Sequence, residues 1–519
     1  MKSKKMKPVL LQIYDYKQMF DSIDLKEAIS DIFNVGVDDD SLALIYKANS
    51  EVQMAVKTPS GLTERQKVEN IVLQGDTFGS ILASVQVDSI AKDVEEAKLG
   101  YKESLSVSLL ALVDDVIGIT EAGFKAAQMN EIINLRTAEK CLQFGIKKCK
   151  SMFVGKVKED FLDSEILVDK WSTEIRENEE TGEEELIETY MGQTPIGKTN
   201  EQKYLGFVIS GSGNNMCNIN AVRRKSIGVI RKILNKLDSL NLRSYYFECA
   251  IIFMHTMLRP SILYASETYY NLTESQMRQI ERIEENFLRQ IFKTSRGCPI
   301  VQLYLEGGVI PARFEIQRYR LLYLKSILHE DKASMISKFF YLQLKQPTRG
   351  DWVSRCQQDL KELKISETFA EIEMMTKGRF NRILKERIHQ NALKYLTEKQ
   401  RQKGSDISYI KSEMAEYLLP DSKLSVTQKR RLFAIRNMML EIPDNFSSGN
   451  VKNFCCCGER EIMSHIYYCK ILNKETSDLI PYDLIYNGRI SEQIRIYHKF
   501  EENFERREQL LTKKEEKTQ

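Results

Sequence analysis

Three aspartates follow or interrupt apolar segments of the chain and could hold divalent cations. Asp15 follows residues 8–14, an apolar run that predicts a buried strand. Asp114 and Asp115 stand between two further apolar runs, which predicts two short strands joined at the aspartates. Carboxylates at adjacent strand ends suit two metal ions about 4 Å apart, which activate a hydroxyl and neutralise a triphosphate leaving group. This arrangement would suit nucleotidyl transfer, although an Asp-Asp pair between apolar runs is more often an ordinary hairpin turn, so the order of the neighbouring motifs has to distinguish the two.

A second cluster, near the C-terminus, has the composition of a zinc site. The chain has ten cysteines, and four of them fall with His465 within fifteen residues. Zinc is commonly held in a tetrahedron by three cysteines and one histidine. The spacing predicts Cys455, Cys457, His465 and Cys469 as ligands, with Cys456 as an alternative to Cys455 and buried thiols as the structural alternative. The other six cysteines are scattered, which is typical of a reducing compartment.

The segments around these residues predict a mixed region followed by helices. Before residue 215 we expect helices at 22–34, 77–100 and 121–145, a hairpin spanning 51–73, a strand at 150–155, an acidic hairpin insertion at 156–202 with a solvated tip, and a strand at 203–210. Beyond residue 215 the periodicity favours helix, ending in a charged tail that is helical or frayed. Glycine (25) and proline (10) are scarce, which also favours helix.

The net charge of +3 does not by itself indicate a nucleic-acid partner. Local clusters of basic residues are therefore the feature that can indicate nucleic-acid binding. Residues 221–245 are strongly basic, and a helix there puts Arg224, Arg231 and Lys232 on one face, where they could follow a phosphate backbone. A solvated helix face is the alternative. No apolar run reaches the roughly 18 residues of a membrane span, and no signal-peptide core follows the basic N-terminus. We expect an intracellular protein, in nucleus or cytoplasm.

Five motifs in order resemble the palm of LINE-type (non-LTR) retrotransposon reverse transcriptases. They are DYKQMFDS at 15–22, QGDTFGSIL at 74–82, LVDD at 112–115, FGIKKCKSM at 144–152 and YLGFVI at 204–209. Residues 259–292 resemble the segment that follows the palm in this family, and the cysteine cluster resembles its C-terminal zinc knuckle. Residues 423–445 resemble the helix before that knuckle. This segment carries basic side chains that could bind nucleic acid, with a structural role as the alternative: Lys429, Arg430, Arg431 and Arg436.

The resemblance implies a role for each matching residue. Asp15, Asp114 and Asp115 would bind two Mg²⁺ ions. Phe20 would lie under the incoming sugar, with core packing as the alternative. The other implied positions are Gln74 and Gly75 in the nucleotide and template pocket, Lys148 near the triphosphate with Lys150 as the alternative, and Tyr204, Leu205 and Gly206 in a hairpin beside the primer.

The resemblance also implies the architecture, an α+β right-hand polymerase. We expect a palm at 1–212, a helical thumb at 213–345, a helical linker at 346–450, a zinc knuckle at 451–475 and a charged tail at 476–519. Because 14 residues precede Asp15, most of the fingers and the family's endonuclease are expected to be missing. The implied function is RNA-directed DNA polymerisation from an RNA template, a DNA primer and dNTPs. The alternatives are a non-catalytic nucleic-acid-binding remnant and a helical scaffold with a structural zinc.

Overall fold

A computed structural model of the chain describes residues 9–50, 52–68, 72, 78–102, 105–121, 123–155, 165–177, 184–294, 297–348, 350–402, 413–437, 439–440, 455, 457, 459, 463–473 and 479–515. The chain forms two compact units, Met1–Asn218 and Ile219–Gln519. The first unit mixes strands and helices, whereas the described elements of the second are helical. The mixed helix and sheet class therefore agrees with the expectation.

The first unit begins with a strand and carries its helices between strands. Its strands are β1 (Val9–Asp15), β2 (Val52–Met54), β3 (Lys57–Thr58), β4 (Gly61–Leu62), β5 (Gln66–Val68), β6 (Tyr101–Lys102), β7 (Ser106–Val107), β8 (Leu109–Leu112), β9 (Asp115–Glu121), β10 (Lys150–Val154), β11 (Leu167–Glu177), β12 (Glu184–Pro195), β13 (Gly197–Lys198), β14 (Glu201–Tyr204) and β15 (Phe207–Ser210). Its helices are α1 (Met19–Ser22), α2 (Leu25–Val35), α3 (Asp39–Ser50), α4 (Gly79–Glu96) and α5 (Phe124–Glu139).

A five-stranded sheet of order β13-β10-β1-β9-β8 forms the centre of this unit. The strand β1 pairs antiparallel with β9 on one side and β10 on the other, and β8 pairs antiparallel with β9. The short β13 adds to β10 in parallel. This order puts the end of β1 beside the start of β9, where the aspartates stand.

One face of β1 faces the helical core, because alternate residues of a strand point to the same side. Leu10 and Tyr14 belong to the buried cluster that α2, α4 and α5 contribute to. Between them, the buried Gln12 donates from Nε2 to the carbonyl oxygen of Ala126 at 3.0 Å. The Tyr14 hydroxyl lies 2.8 Å from Asn130 Oδ1 of α5. These buried contacts fix the helices against the strand that carries Asp15.

Three sequence expectations in this unit have a clear outcome. The hairpin around residues 58–61 is present, with β2 paired to β5 and β3 to β4. The acidic insertion forms the antiparallel pair β11–β12, and its expected tip at 178–183 lies outside the described residues. The single strand expected at 203–210 was wrong, because the chain reverses at Leu205 and Gly206 to form the hairpin β14–β15.

The described elements of the second unit are helices. After α6 (Met216–Ser239), which crosses into it from the first unit, its helices are α7 (Tyr246–Phe253), α8 (Arg259–Ile262), α9 (Glu274–Phe292), α10 (Ile300–Gly307), α11 (Ala312–His329), α12 (Met335–Lys345), α13 (Trp352–Glu362), α14 (Phe369–Met374), α15 (Lys377–Gln402), α16 (Val426–Arg436), α17 (Met463–Tyr468), α18 (Leu484–Asn487) and α19 (Ile490–Glu515). A π-helical turn, Met254–Leu258, joins α7 to α8.

Buried ion pairs tie these helices together. Arg259 Nε lies 2.9 Å from Glu284 Oε1 of α9, and both side chains are almost completely buried. Arg320 of α11 pairs in the same way with Asp359 of α13. Removing one partner of such a pair leaves an uncompensated buried charge, which destabilises a protein by about 3–5 kcal/mol.

The basic residues of α16 make structural contacts. Lys429 is fully buried, and its ammonium group donates to the carbonyl oxygens of Ser244, Leu418 and Leu419. Arg436 is also buried and pairs with Glu306 at 3.0 Å. The other two basic side chains are engaged as well, since Arg430 donates to Ile291 O and stacks on Tyr246, and Arg431 pairs with Glu501. These contacts favour the structural alternative for this helix.

Across the described residues, no helix is both long enough and apolar enough to cross a membrane.

Candidate active site and metal centre

The strand order brings the three predicted carboxylates to one end of the sheet. Asp15 ends β1 and is the direct cross-strand partner of Asp115, the first residue of β9. Leu112 pairs with Asp115 across the neighbouring hairpin, so Val113 and Asp114 form its two-residue turn. All three aspartates are partly buried. The backbone pairing therefore places three carboxylates at one end of the sheet, and carboxylate oxygens are the donors that hard divalent cations prefer.

The turn beside the aspartates is conformationally unusual. Val113 has φ of 56°, although the first central position of such a turn favours glycine. A β-branched residue at positive φ is an outlier, because its side chain crowds the backbone. Backbone strain of this kind is concentrated at functional sites, where the surrounding structure holds it in place. The conformation of Val113 therefore supports a functional role for this turn.

Lys148 lies against the first of these carboxylates. Its Nζ is 3.1 Å from both carboxylate oxygens of Asp15. The hydrogen bond to Asp15, together with the charges of Asp15, Asp114 and Asp115, raises the pKa of Lys148. Its side chain is otherwise exposed. Lys150 instead lies within β10, paired with Gly197, so Lys148 is the lysine beside the carboxylates.

The electrostatics of the carboxylates fit a cation site. Partial burial, followed by the nearby charges of Asp114 and Asp15, raises the pKa of Asp115. Asp15 Oδ2 is buried and has no partner with hydrogen-bond geometry among the described residues. Neighbouring anionic oxygens repel one another and are stabilised by a positive charge, which Lys148 supplies to Asp15 here and a bound cation would also supply. The chemistry of these carboxylates therefore suits the Mg²⁺ ions expected from the sequence.

The hairpin β14–β15 reaches the same carboxylates. The Tyr204 hydroxyl donates to the carbonyl oxygen of Asp115 at 3.4 Å, and burial raises its pKa. Leu205 has φ of 46° and Gly206 has φ of 81°, which is the geometry of a type I′ turn. The three residues expected beside the primer thus lie in a tight turn next to Asp115.

The three remaining residues expected to contact the substrate are Phe20, Gln74 and Gly75. Phe20 lies in α1 and packs, partly buried, against the hydrophobic core. This is the core packing that stood as its alternative role, although a part of the ring is still accessible. Gln74 and Gly75 lie outside the described residues.

Gly145 and Cys149, to which the sequence analysis assigned no role, also contact Asp15. Gly145 N donates to the Asp15 carbonyl oxygen at 2.7 Å, and Asp15 N donates to Cys149 Sγ at 3.4 Å. They stand about 130 positions from Asp15 along the chain, so periodicity could not have revealed the contacts. The signal was the motif FGIKKCKSM itself, in which both residues occur.

The second unit brings the four predicted zinc ligands together. The ligand atoms of Cys455, Cys457, His465 and Cys469 all lie within 4.8 Å of one another. The two closest pairs are Cys455 Sγ to Cys469 Sγ at 3.5 Å and Cys457 Sγ to His465 Nε2 at 3.1 Å. A zinc tetrahedron with Zn–S bonds of about 2.3 Å has edges of about 3.8 Å, so this set fits one zinc ion. Cys456 lies outside the described residues.

Local structure explains this convergence. His465 lies in α17, and Cys469 follows the end of that helix. Asn503 of α19 is fully buried and donates from Nδ2 to the carbonyl oxygens of Ile466 and Tyr467. The charged tail is therefore helical, and it anchors the segment between His465 and Cys469.

The predicted basic stripe lies on one side of α6. Arg224, Arg231 and Lys232 are exposed, and in the described part of the chain they make no ion pair. The opposite side of the helix buries Ile230, Ile233 and other residues. Exposed cations without acidic partners can neutralise phosphates.

Comparison with known proteins identifies the class of the first unit. Residues 1–209 match the family model for reverse transcriptase (RNA-dependent DNA polymerase). This match includes all three carboxylates, Lys148 and most of the hairpin β14–β15. The chain therefore contains a reverse transcriptase domain.

Other comparisons are weaker. Telomerase from Candida albicans, solved in complex with the TWJ fragment of telomeric RNA, shows 12% identity and a TM-score of 0.29 over 72% of this chain. The corresponding structure from Candida tropicalis shows 14% identity and a TM-score of 0.30 over 74%. The match spans half the length of each solved chain, and both TM-scores are too low to indicate a shared overall fold. No curated protein matches the sequence.

Proposed function

We propose that this chain is an RNA-directed DNA polymerase module of a LINE-type retrotransposon, which extends a DNA primer on an RNA template. The observation that carries the proposal is the cluster of Asp15, Asp114 and Asp115 at paired strand ends, with Lys148 against Asp15. The reverse transcriptase domain at residues 1–209 supports the same reaction class. The retrotransposon context rests on the sequence motifs quoted above.

The proposed roles follow from the chemistry of each side chain. Asp15, Asp114 and Asp115 would hold two Mg²⁺ ions, which activate the primer 3′-hydroxyl and neutralise the departing pyrophosphate when bound. Lys148 carries its positive charge beside these carboxylates and would bind the triphosphate of the incoming dNTP. Tyr204, Leu205 and Gly206 would guide the primer end toward the same carboxylates. Phe20, Gln74 and Gly75 are proposed to line the nucleotide pocket.

A second candidate function is nucleic-acid binding without chemistry. It is favoured by the exposed cations Arg224, Arg231 and Lys232 of α6, which lie outside the carboxylate cluster. A cleft of about 720 Å³ in the helical unit is also lined by the cations Arg243 and Lys293, with Asp238 as an acidic neighbour. Such a surface binds phosphates whether or not the carboxylates are active.

Primer extension tests the two candidates together. The purified chain is incubated with a primed RNA template, Mg²⁺ and dNTPs, beside the Asp114→Ala variant, while template binding is measured in parallel. We expect extension by the unaltered chain and none by the variant, with equal binding. Binding without extension would support the non-catalytic alternative, and the absence of both would leave the scaffold alternative.

We also propose that Cys455, Cys457, His465 and Cys469 hold one structural zinc ion. The mutual proximity of the four ligand atoms supports this assignment. Metal analysis of the purified chain is expected to give one zinc per molecule, reduced in Cys469→Ser. Cys356→Ser is the matched control, because Cys356 is buried in the helical core away from this cluster. An equal zinc content in all three proteins would contradict the assignment.

A further inference from the structure

The turn at residues 143–149 forms backbone hydrogen bonds with the end of β1 and the residues that follow it. Lys17 N donates to Gln143 O at 2.7 Å, and Gly145 N donates to Asp15 O at the same distance. Between these two contacts, Tyr16 and Phe144 form an antiparallel bridge. The segment thus extends the sheet ahead of the first residue of β10 and pairs with the backbone on both sides of Asp15.

Gly145 leaves the space that the Asp15 carboxylate occupies. A Cβ atom at this position would stand 2.6 Å from Asp15 Oδ2 and 3.4 Å from Asp15 O. Real Cβ atoms essentially never approach another atom as closely as 2.6 Å, so one of the two groups would move. The φ of Gly145 lies outside the left-handed region, so an alanine would be tolerated by the backbone. The group displaced by a methyl here is therefore the carboxylate.

Cys149 holds the same aspartate from its backbone. Its Sγ accepts a hydrogen bond from Asp15 N at 3.4 Å, and its S–H lies 3.6 Å from Asp15 O as donor. The side chain is completely buried. A thiol is both a weak acceptor and a weak donor, so Cys149 can satisfy both the N–H and the carbonyl oxygen of Asp15.

We propose that Gly145 and Cys149 are positioning residues that fix the Asp15 carboxylate for metal binding. Gly145 does so by leaving room for Oδ2, and Cys149 by holding the backbone N–H. This inference rests on the proposed function, since it assigns Asp15 a metal. It adds that the turn 143–149 sets the orientation of that ligand, in addition to carrying Lys148.

The test compares Gly145→Ala with Gly378→Ala in the full chain. Gly378 lies at the start of α15, where an added Cβ would meet nothing within 4 Å. Three quantities are measured: Mn²⁺ affinity by electron paramagnetic resonance, the rate of primer extension, and the midpoint of thermal unfolding. Asp15→Asn gives the reference for a lost ligand. Cys149→Ser and Cys149→Ala form a second pair, in which serine keeps an acceptor for Asp15 N.

We expect Gly145→Ala to weaken Mn²⁺ binding about tenfold and to slow extension by about 10²-fold, the scale of a 1 Å misplacement. Its unfolding midpoint should match that of Gly378→Ala, and Cys149→Ser should retain more affinity than Cys149→Ala. A Mn²⁺ affinity and extension rate equal to those of the unaltered chain would overturn the inference. A large fall in the unfolding midpoint would also overturn it, since the effect would then be structural.

The Mn²⁺ measurement separates this inference from the proposed function. If the unaltered chain binds Mn²⁺ but extends no primer, the polymerase proposal fails, and the Mn²⁺ affinities still decide the positioning role. If the chain extends primers and Gly145→Ala does so equally well, only the positioning role fails. If the unaltered chain neither binds Mn²⁺ nor extends primers, both fail, because Asp15 then has no metal to hold.

Discussion

Asp115 illustrates how a partly buried carboxylate beside other carboxylates opposes folding. Its pKa is raised by partial burial and then by the charges of Asp114 and Asp15. An aspartate with a raised pKa binds its proton more tightly in the folded than in the unfolded chain. Stability therefore falls as the pH rises from the ordinary value through the raised one, and it stays lower above both. At neutral pH the ionised side chain destabilises the fold.

We therefore expect Asp115→Asn to raise the unfolding midpoint at pH 7. The amide is neutral at every pH, so it removes both the repulsion and the burial of charge while keeping the shape of the side chain. The gain should shrink as the pH falls and the carboxylate of the unaltered chain takes up its proton. Thermal unfolding of both proteins from pH 7 to pH 4 measures this. A lower midpoint for the variant at pH 7 would contradict the expectation.

The surroundings of Asp15 show which contacts could be predicted from the sequence and which could not. The apolar runs around Asp15, Asp114 and Asp115 predicted strands that end at these residues, and the structure agrees. The contacts of Gly145 and Cys149 with Asp15 were not predicted, because they depend on how β1 and a turn far along the chain approach one another. Such contacts follow from tertiary packing, which local patterns do not encode.

Among the elements, the hairpin β14–β15 has an unfavourable residue in its turn. A type I′ turn needs positive φ at both central positions and favours Asn-Gly, yet here the first is Leu205. A left-handed conformation costs a non-glycine residue roughly 1–2 kcal/mol. Leucine at this position also explains why the apolar pattern alone predicted one strand at 203–210, since Leu-Gly lacks the usual turn signature, whereas the family resemblance predicted a hairpin at residues 204–206.

Leu205→Asn should therefore raise the free energy of unfolding by about 1 kcal/mol. If Leu205 contacts the primer as proposed, the variant should also bind a primed template less tightly. Chemical denaturation and template titration measure the two effects. Leu62→Asn is the matched control, because Leu62 is exposed in β4 without a positive φ and should not be stabilised. A destabilised Leu205→Asn would contradict the strain argument.

The last helix, α19, is the element that supports the proposed zinc site. Its buried Asn503 donates to the carbonyl oxygens of Ile466 and Tyr467 and to Asn473 Oδ1. Replacing it would leave these buried acceptors without their donor, which costs about 1–3 kcal/mol. The sequence predicted a charged segment that is helical or frayed, but charge patterning alone could not reveal that one face is buried.

We expect Asn503→Ala to release zinc faster to a chelator and to lower the unfolding midpoint. Both effects arise because α17 and the residues after it lose their anchor to α19. Zinc transfer to a colorimetric chelator and thermal unfolding provide the measurements. Glu505→Ala on the exposed side of the same helix is the control. Equal release rates for the two variants would argue against support of the site by Asn503.

At the scale of the whole molecule, affinity for nucleic acid has to come from local charge, because the net charge is only +3. Substituting Arg224, Arg231 and Lys232 by alanine should reduce the slope of log affinity against log salt by about 2, since each phosphate contact with a single strand contributes about 0.7. Titrations with single-stranded RNA at several salt concentrations measure this slope.

The control for the salt dependence is a second triple variant that removes the same number of positive charges from a different helix. Arg382, Arg387 and Lys394 are exposed on α15, and their substitution by alanine removes three cations from another surface. We expect the slope of this variant to match that of the unaltered chain. If both triple variants reduced the slope equally, binding would depend on overall charge and α6 would have no special role.

The class of the first part of the chain was predictable, whereas several structural elements were not. The ordered motifs predicted a reverse transcriptase palm at 1–212, and the match of residues 1–209 to the family model confirms a reverse transcriptase domain there. The helix α3 was missed, although Leu42, Ile45 and Asn49 are buried at helical spacing. A local signal for this helix was present, because Asp38 accepts a hydrogen bond from Ser41 N at 2.9 Å as a helix cap, and Asp39 and Asp40 lie in the first turn, where acidic residues are favourable. The predicted domain boundaries, including the one at residue 212, stay predictions.

The sheet order has a consequence for how the protein behaves in solution. Among the described strands, β8 has a neighbour on one side only, and its outward residues Leu110 and Leu112 are exposed. An open strand edge with apolar side chains is a template on which another polypeptide can add a strand, which promotes aggregation. This edge adjoins Asp115 directly, so self-association through it would crowd the carboxylates. Loss of activity on concentrating the protein would then reflect blocked access to the site.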